Sequence, residues 1–118
     1  MSWNGPYDLT QDNVGKLKSQ PGAYIIGYSR DGAIYGAYVG RSDDDLKGRL
    51  RDHLPANETN ECIKRLGCDR FWYQYADSAK AAYDIECTTY HKQNGGYSCN
   101  VNHPAKSNSN WKCPVCGE

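Results

Sequence analysis

A segment rich in tyrosine and β-branched residues, at positions 22–40, places the strongest constraint on the fold of this chain. It reads GAYIIGYSRDGAIYGAYVG, two runs of Tyr, Ile and Val separated by SRDG. Aromatic and β-branched residues favour strands, and Asp-Gly between two such runs is typical of a tight turn. The sequence therefore predicts a β-hairpin, around which the rest of the chain must be organised.

The segments on the carboxyl side of this hairpin predict three helices and one more strand. Capping residues mark the ends of three helical segments: SDDDLKGRLRDHL with Ser42 as N-cap, NETNECIKRLGC with Gly67 at its end, and SAKAAYDIECTTYHKQNGG from Ser78 to Gly95-Gly96. RFWYQYAD alternates aromatic and polar residues and predicts a third strand. The chain thus divides into a domain over residues 1–104 and a polar, irregular tail over residues 105–118.

Length and charge limit the classes of protein to which this chain can belong. Its 118 residues suffice for one domain with one core. Lys plus Arg and Asp plus Glu balance at 14 each, so any site for a polyanion is a local patch. No continuous apolar span is present, and MSWNGPYDLT lacks the basic and apolar regions of an export signal. We expect a cytoplasmic protein with no membrane partner.

Charged residues occupy helix faces that should be buried. In DLKGRLRDHL, one face is formed by residues three and four positions apart: Leu46, Arg49, Leu50 and His53. Glu86 repeats the problem with the opposite charge, in the middle of an otherwise apolar face of the last helix. Burying a guanidinium is costly unless an anion meets it. These residues therefore either pair with charges elsewhere in the fold or face a cleft that receives an anionic substrate.

Five short motifs, in this order along the chain, resemble the GIY-YIG nuclease family. They are Gly22-Ala23-Tyr24, Tyr38-Val39-Gly40, Arg49 followed by His53, Glu86 in mid-helix, and Asn100 in a late loop. Each motif is weak alone, but their order on the expected elements is specific. The resemblance covers about residues 20–104, and Ala23 stands where the family usually has Ile. It implies an α+β fold, with a small three-stranded antiparallel sheet flanked by helices, and phosphodiester cleavage with one divalent metal.

The resemblance also implies a role for each motif residue. Glu86 would bind Mg²⁺ or Mn²⁺, and Arg49 would hold the scissile phosphate. Tyr24 is favoured as the general base, and Tyr38 would orient the attacking water or the phosphate. His53 would assist the proton transfer.

Two further residues complete the predicted site. Arg41, directly after the Tyr-x-Gly motif, would add a second phosphate contact. Asn100 most resembles the late asparagine of the family, with Asn102 as the alternative. A metal and arginines suit this chemistry because negative charge gathers on the phosphate oxygens in the transition state, and Mg²⁺ needs only one or two carboxylates.

The sequence therefore predicts a metal-dependent endonuclease that acts on nucleic acid, on DNA in preference to RNA. Phosphate neutralisation supplies most non-specific affinity for nucleic acid, so a chain with zero net charge should bind weakly alone. Weak binding by the isolated domain leaves a place for a targeting domain or a partner protein.

Other interpretations keep the fold and change the function. Tyrosines on strands are usually half-buried core residues, and a loop asparagine such as Asn100 commonly serves a turn. Arg49 and Glu86 can also form a structural ion pair between helices. The chain would then be a catalytically silent module that binds nucleic acid or protein. A third hypothesis is a nuclease toxin delivered by a fusion partner.

The six cysteines indicate a separate metal site. An even number can form a disulfide framework in a secreted chain, but no export signal supports that here. CPVCGE contains Cys113 and Cys116 in a Cys-x-x-Cys knuckle, which more often holds zinc. Cys87 and His91, four residues apart on the last helix, would complete a structural Cys₃His site. The alternatives are Cys99 or His103 as ligands, Cys62 with Cys68, or reduced thiols without metal.

Overall fold

An antiparallel sheet organises the chain, whose computed structural model describes residues 3–93 and 96–118. In this part of the chain the elements are β1 (Asn4–Asp8), α1 (Gln11–Gly15), β2 (Gly22–Arg30), β3 (Ala33–Ser42), α2 (Leu46–Asp52), α3 (Glu61–Leu66), β4 (Arg70–Tyr75) and α4 (Ala79–Lys92). The four strands lie in the order β1-β4-β2-β3. The predicted α+β fold is confirmed, with four strands in the described residues rather than three.

The predicted hairpin is confirmed, and its turn explains its sequence. Strands β2 and β3 pair along their lengths, and Asp31 and Gly32 connect them with φ of 53° and 83°. Positive φ at both central residues matches the twist of the flanking strands, and Asp-Gly tolerates this conformation. The hairpin therefore follows from local sequence alone.

Two elements, helix α1 and strand β1, are not predicted from the sequence, and strand β1 shows why. Its five residues are all exposed, so the segment NGPYD has no alternating pattern of burial. It pairs with β4 at the edge of the sheet, where Tyr7 lies opposite Phe71 with ring centroids 5.7 Å apart. This strand is held by pairing rather than by burial, and pairing of this kind has no local sequence signal.

Helix α2 begins later than predicted. Its N-cap is Asp45, whose side chain accepts a hydrogen bond from the Gly48 N–H at 3.0 Å. Ser42 lies in the preceding turn, where its hydroxyl accepts from the Asp45 N–H at 2.8 Å. The prediction of Ser42 as N-cap is therefore wrong, and Asp43 lies in a loop before the helix.

The remaining predicted elements are present. Helix α3 ends at Gly67, which has a left-handed conformation, and β4 and α4 lie within their predicted segments. Ser78 caps α4, which ends at Lys92. The predicted stop at Gly95-Gly96 falls partly outside the described residues, because Gly95 is not among them. Across the described ranges, no helix has the length and apolar character needed to cross a bilayer.

Helices cover both faces of the sheet. Leu46 and Leu50 of α2 pack with Tyr24 and Ile26 in the main core. Helix α4 packs on β2 and β3 from the other face, and six consecutive residues of β2 are buried as a result. The C-terminal tail returns along α4. A strand buried on both faces gives the site residues a rigid support.

A disulfide joins Cys62 on α3 to Cys99 in the segment after α4, 37 residues later. The sequence predicts no disulfide, since no export signal supports one. Cys62 and Cys99 are among the alternative zinc ligands that the sequence offers, and the bond removes them from that role. It attaches the segment that follows α4 to the face carrying α2 and α3.

Candidate active site

A polar cleft of about 620 Å³ opens at the edge of the sheet, along the end of β3. Most of the predicted site residues line it: Tyr24, Tyr38, Arg41, Arg49, Glu86 and Asn100. They come from both hairpin strands, from α2 and α4, and from the segment after α4. Five motifs that are distant in sequence therefore meet in one cavity.

Strand register places the two motif tyrosines on one face of the sheet. Tyr24 lies opposite Gly40, and Tyr38 opposite Ile26, which makes the tyrosines diagonal neighbours with ring centroids 6.4 Å apart. The Tyr24 hydroxyl passes directly over Gly40, where a Cβ atom would lie 2.5 Å from it. The glycine of the Tyr-x-Gly motif is therefore required for the position of the phenol on the neighbouring strand.

Hydrogen bonds lead from the Tyr24 hydroxyl away from the cleft. The hydroxyl lies 2.8 Å from His53 Nε2, and His53 Nδ1 lies 2.7 Å from Glu58 Oε1. Burial, with Tyr38 nearby, raises the pKa of Tyr24 well above its ordinary value, and Arg49 opposes this. Tyr24 is thus a neutral phenol at neutral pH that is hydrogen-bonded to an imidazole nitrogen.

Glu86 pairs with Arg41 rather than with Arg49. Arg41 Nη1 donates to Glu86 Oε1 at 2.7 Å, and Arg41 Nε donates to Asp43 Oδ1 at 2.8 Å. The side chains of Arg41 and Glu86 are only 10% and 11% exposed. A buried ion pair between an arginine and the helix carboxylate exists, but the arginine is the one after the Tyr-x-Gly motif.

The tail and helix α4 hold Arg41 on its remaining sides. The Ser107 hydroxyl accepts a hydrogen bond from Arg41 Nη2 at 3.1 Å. The guanidinium carbon lies 5.1 Å from the centre of the Tyr83 ring and 5.7 Å from that of Trp111. Each of its three nitrogens donates to a protein group, so Arg41 is placed to hold carboxylates rather than to receive a phosphate.

Arg49 has the opposite environment. It is exposed at the wall of the cleft, and among the described residues it has no acidic partner within 4.0 Å. A guanidinium presents a planar set of donors that matches a phosphate. Arg49 is therefore the arginine that an incoming anion would meet.

The donor chemistry around Glu86 fits a divalent cation. Oε1 accepts from Arg41, whereas Oε2 accepts no hydrogen bond from the part of the chain that the structure describes. Burial raises the pKa of Glu86 above its ordinary value, and Arg41 opposes this. Mg²⁺ and Mn²⁺ prefer carboxylate oxygens and retain several waters, for which the cleft has space. Glu86 is thus the residue that would hold the metal.

Asn100 lies at the cleft but its polar atoms bind backbone. Its Oδ1 accepts from the Val39 and Tyr97 N–H groups at 3.0 and 3.1 Å, and its Nδ2 donates to the Val39 carbonyl at 3.0 Å. These bonds satisfy the outer edge of β3 between Tyr38 and Gly40. Asn100 therefore positions the strand that carries the second tyrosine motif.

Four possible metal ligands converge beside α4: His91, His103, Cys113 and Cys116 have their donor atoms within 4.8 Å of one another. The Nε2 atoms of His91 and His103 are 3.3 Å apart, close to the separation of about 3.3 Å expected for two nitrogens on tetrahedral zinc. His103 Nδ1 lies 3.1 Å from the Pro104 carbonyl, which leaves Nε2 as the ligand atom. The geometry fits a zinc ion.

This set differs from the predicted set by one residue, since His103 takes the place of Cys87. Cys87 is fully buried against Tyr83 and Cys113, and burial raises the pKa of its thiol to about 12. Burial also acts to raise the pKa of Cys113, but hydrogen bonds from the knuckle backbone, beginning with the Cys116 N–H, lower it to about 6. The Cys87 sulfur is not among the four donor atoms that lie within 4.8 Å of one another, so His103 completes the set in its place.

Sequence reasoning missed Glu58, which receives the His53 hydrogen bond. Glu58 lies in the loop between α2 and α3, where no helical or strand periodicity makes a charged residue stand out. The conformation of that loop decides its position.

Comparison with known proteins identifies the fold. No family model matches the chain, and no curated protein matches it. A solved structure does match: the GIY-YIG N-terminal endonuclease domain of UvrC from Thermotoga maritima, a point mutant bound to its catalytic divalent cation. The two chains are 21% identical, with a TM-score of 0.59 over 78% of this chain and 94% of that one. This chain therefore has the fold of the GIY-YIG endonuclease domain.

Proposed function

We propose that this protein is a divalent-metal-dependent endonuclease that hydrolyses phosphodiester bonds, with DNA preferred over RNA. The observation that carries the proposal is the composition of the cleft. A buried carboxylate, an exposed arginine and a hydrogen-bonded phenol line it together, from Glu86, Arg49 and Tyr24. The matching UvrC domain, which binds a catalytic divalent cation, supports the same chemistry here.

In the proposed reaction each side chain has one part. Arg49 binds the non-bridging oxygens of the scissile phosphate and offsets the charge that develops on them. Tyr24 accepts a proton from the attacking water while its own proton passes to His53, and Tyr38 orients the water. Arg41 keeps the Glu86 carboxylate in place. A divalent cation held by that carboxylate would polarise a phosphate oxygen and stabilise the leaving oxygen.

We also propose a structural zinc at the cluster of His91, His103, Cys113 and Cys116. Four protein ligands complete a tetrahedron and leave no position open for substrate, which favours a structural role over a catalytic one. The two metal sites are chemically distinct, because the cleft offers oxygen ligands and the cluster offers nitrogen and sulfur.

The substrate is bound locally rather than by an overall field. The chain has zero formal net charge, so a targeting domain or partner protein would supply most of the affinity for a particular nucleic acid. The isolated domain should therefore cut slowly and with a low affinity that falls further with salt.

A cleavage assay tests the proposed function. Supercoiled, linear and branched DNA and a matched RNA duplex are incubated with Mg²⁺ or Mn²⁺, with EDTA, and with the variants Glu86→Gln and Glu61→Gln. Glu61 is a suitable control because its side chain is 81% exposed on α3. We expect cutting of DNA by the wild type and by Glu61→Gln, and none with EDTA or Glu86→Gln.

Two outcomes contradict the proposal. Cutting that persists in Glu86→Gln would exclude Glu86 as the essential carboxylate. A folded, zinc-loaded protein that binds these nucleic acids in Mg²⁺ but cuts none of them would instead be a silent binding module.

A further inference from the structure

Glu58 is a buried carboxylate that does not line the cleft. Its side chain is only 5% exposed. Oε2 accepts from the backbone N–H groups of Thr59 and Asn60 at 3.1 and 3.0 Å, and Oε1 lies 2.7 Å from His53 Nδ1. The backbone therefore fixes the orientation of a carboxylate whose remaining oxygen faces one histidine nitrogen.

That contact decides the tautomer of His53. A carboxylate has only acceptors, so the proton of this hydrogen bond belongs to Nδ1. In a neutral imidazole the other nitrogen, Nε2, then carries a lone pair, and it faces the Tyr24 hydroxyl at 2.8 Å. Tyr24 is consequently the donor and His53 the acceptor in the bond between them.

We propose that Glu58 is a positioning residue that holds His53 in the Nδ1–H tautomer, ready to accept the Tyr24 proton. The ring has little freedom otherwise, since its centroid lies 5.1 Å from that of Tyr24 and 5.7 Å from that of Tyr38. Without Glu58, His53 would lose the partner that selects Nδ1 as its donor. Glu58 touches neither substrate nor reacting atoms, and it acts through His53.

The role of Glu58 in catalysis rests on the proposed reaction, in which the proton movements balance. A water O–H bond breaks as its proton passes to Tyr24 Oη, and the Tyr24 O–H proton passes to His53 Nε2. The water oxygen uses its electron pair to bond to phosphorus, and the leaving oxygen departs with the pair of the broken P–O bond. The leaving oxygen takes a proton from solvent. His53 later releases its extra proton to solvent. The Glu58 carboxylate stabilises the imidazolium meanwhile.

Nitrogen-15 NMR of the imidazole rings tests the tautomer without any cleavage. The chain has three histidines, which His91→Ala and His103→Ala assign by difference. We expect a protonated Nδ1 and an unprotonated Nε2 on His53 in the wild type. In Glu58→Ala we expect the Nε2–H form to become populated. A wild-type His53 protonated at Nε2, or the same tautomer in Glu58→Ala, would overturn the inference.

Kinetics of a DNA-cutting preparation supply the second readout. We expect Glu58→Ala to lower kcat about 100-fold, the scale of assisted proton transfer, with KM changed less than about threefold. Glu58→Gln keeps an acceptor but loses the charge, so its kcat should lie between those of Glu58→Ala and the wild type. If Glu58→Ala does not fold, Glu58→Gln carries the test, and a wild-type kcat in that variant contradicts the proposal. Glu61→Ala is the matched control.

The two proposals fail in different ways. If the wild type cuts nothing, the nuclease function is wrong, and NMR still decides whether Glu58 sets the tautomer. If the wild type cuts and Glu58→Ala has wild-type kcat with an unchanged His53 spectrum, the inference is wrong and the nuclease function stands.

Discussion

Arg41 and Arg49 line the same cleft, but their surroundings predict different consequences of removing them. Arg41→Ala would leave the buried Glu86 carboxylate without its cation, and we expect the free energy of unfolding to fall by about 3 kcal/mol. Arg49 is exposed, so Arg49→Ala should change the free energy of unfolding by less than about 1 kcal/mol while lowering kcat/KM. Denaturant unfolding and cleavage rates of both variants check this. A larger loss of stability in Arg49→Ala would contradict it.

At the scale of single residues, sequence reveals the groups whose type is unusual for their position. Arg49 and Glu86 are such groups, because each interrupts an apolar helix face. Glu58 and His103 lie in irregular segments, where no period makes a charged or polar residue unexpected. Their roles depend on loop conformation, which brings Glu58 to His53 and brings His103 to His91, Cys113 and Cys116.

Substitution of Asn100 measures how much the side chain at the edge of strand β3 contributes to stability. Asn100→Ala removes three hydrogen bonds to backbone groups of Val39 and Tyr97, and we expect it to lower the free energy of unfolding by about 2 kcal/mol. Asn102 is exposed, and Asn102→Ala should change stability by less than about 0.5 kcal/mol. Urea denaturation of both variants provides the comparison. Equal losses in the two would mean that Asn100 does not hold the strand.

The elements differ in whether neighbouring sequence or contacts with distant parts of the chain determine where they form. The hairpin, α3, β4 and α4 each combine a clear composition with a cap or turn at one end, so the sequence predicts them. Helix α2 starts at Leu46 rather than directly after Ser42, because the Asp45 side chain accepts from the Gly48 N–H while the Ser42 hydroxyl is used by the preceding turn. Strand β1 has no buried residue, so only its partner β4 defines it.

The C-terminal tail connects the two proposed metal sites across the whole molecule. It leaves the His/Cys cluster at His103, passes over the cleft where the Ser107 hydroxyl bonds to Asp43 and Arg41, and returns to the cluster at Cys113. Between these points Trp111 packs on Arg41. A zinc ion would thus fix both ends of a segment that forms one wall of the cleft. Such coupling depends on long-range contacts, which the spacing of cysteines in the sequence does not reveal.

Removal of zinc should therefore weaken both the fold and the reaction. Protein treated with a chelator selective for zinc over Mg²⁺ is expected to lose about 10 °C in Tm, equivalent to about 2 kcal/mol, because the tail loses its anchors. In saturating Mg²⁺, kcat should fall as Arg41 loses the contacts that the tail supplies, and added Zn²⁺ should restore both properties. Calorimetry and cleavage before and after reloading measure this, with elemental analysis as the control. An equal Tm with and without bound zinc would show that the ion does not hold the tail.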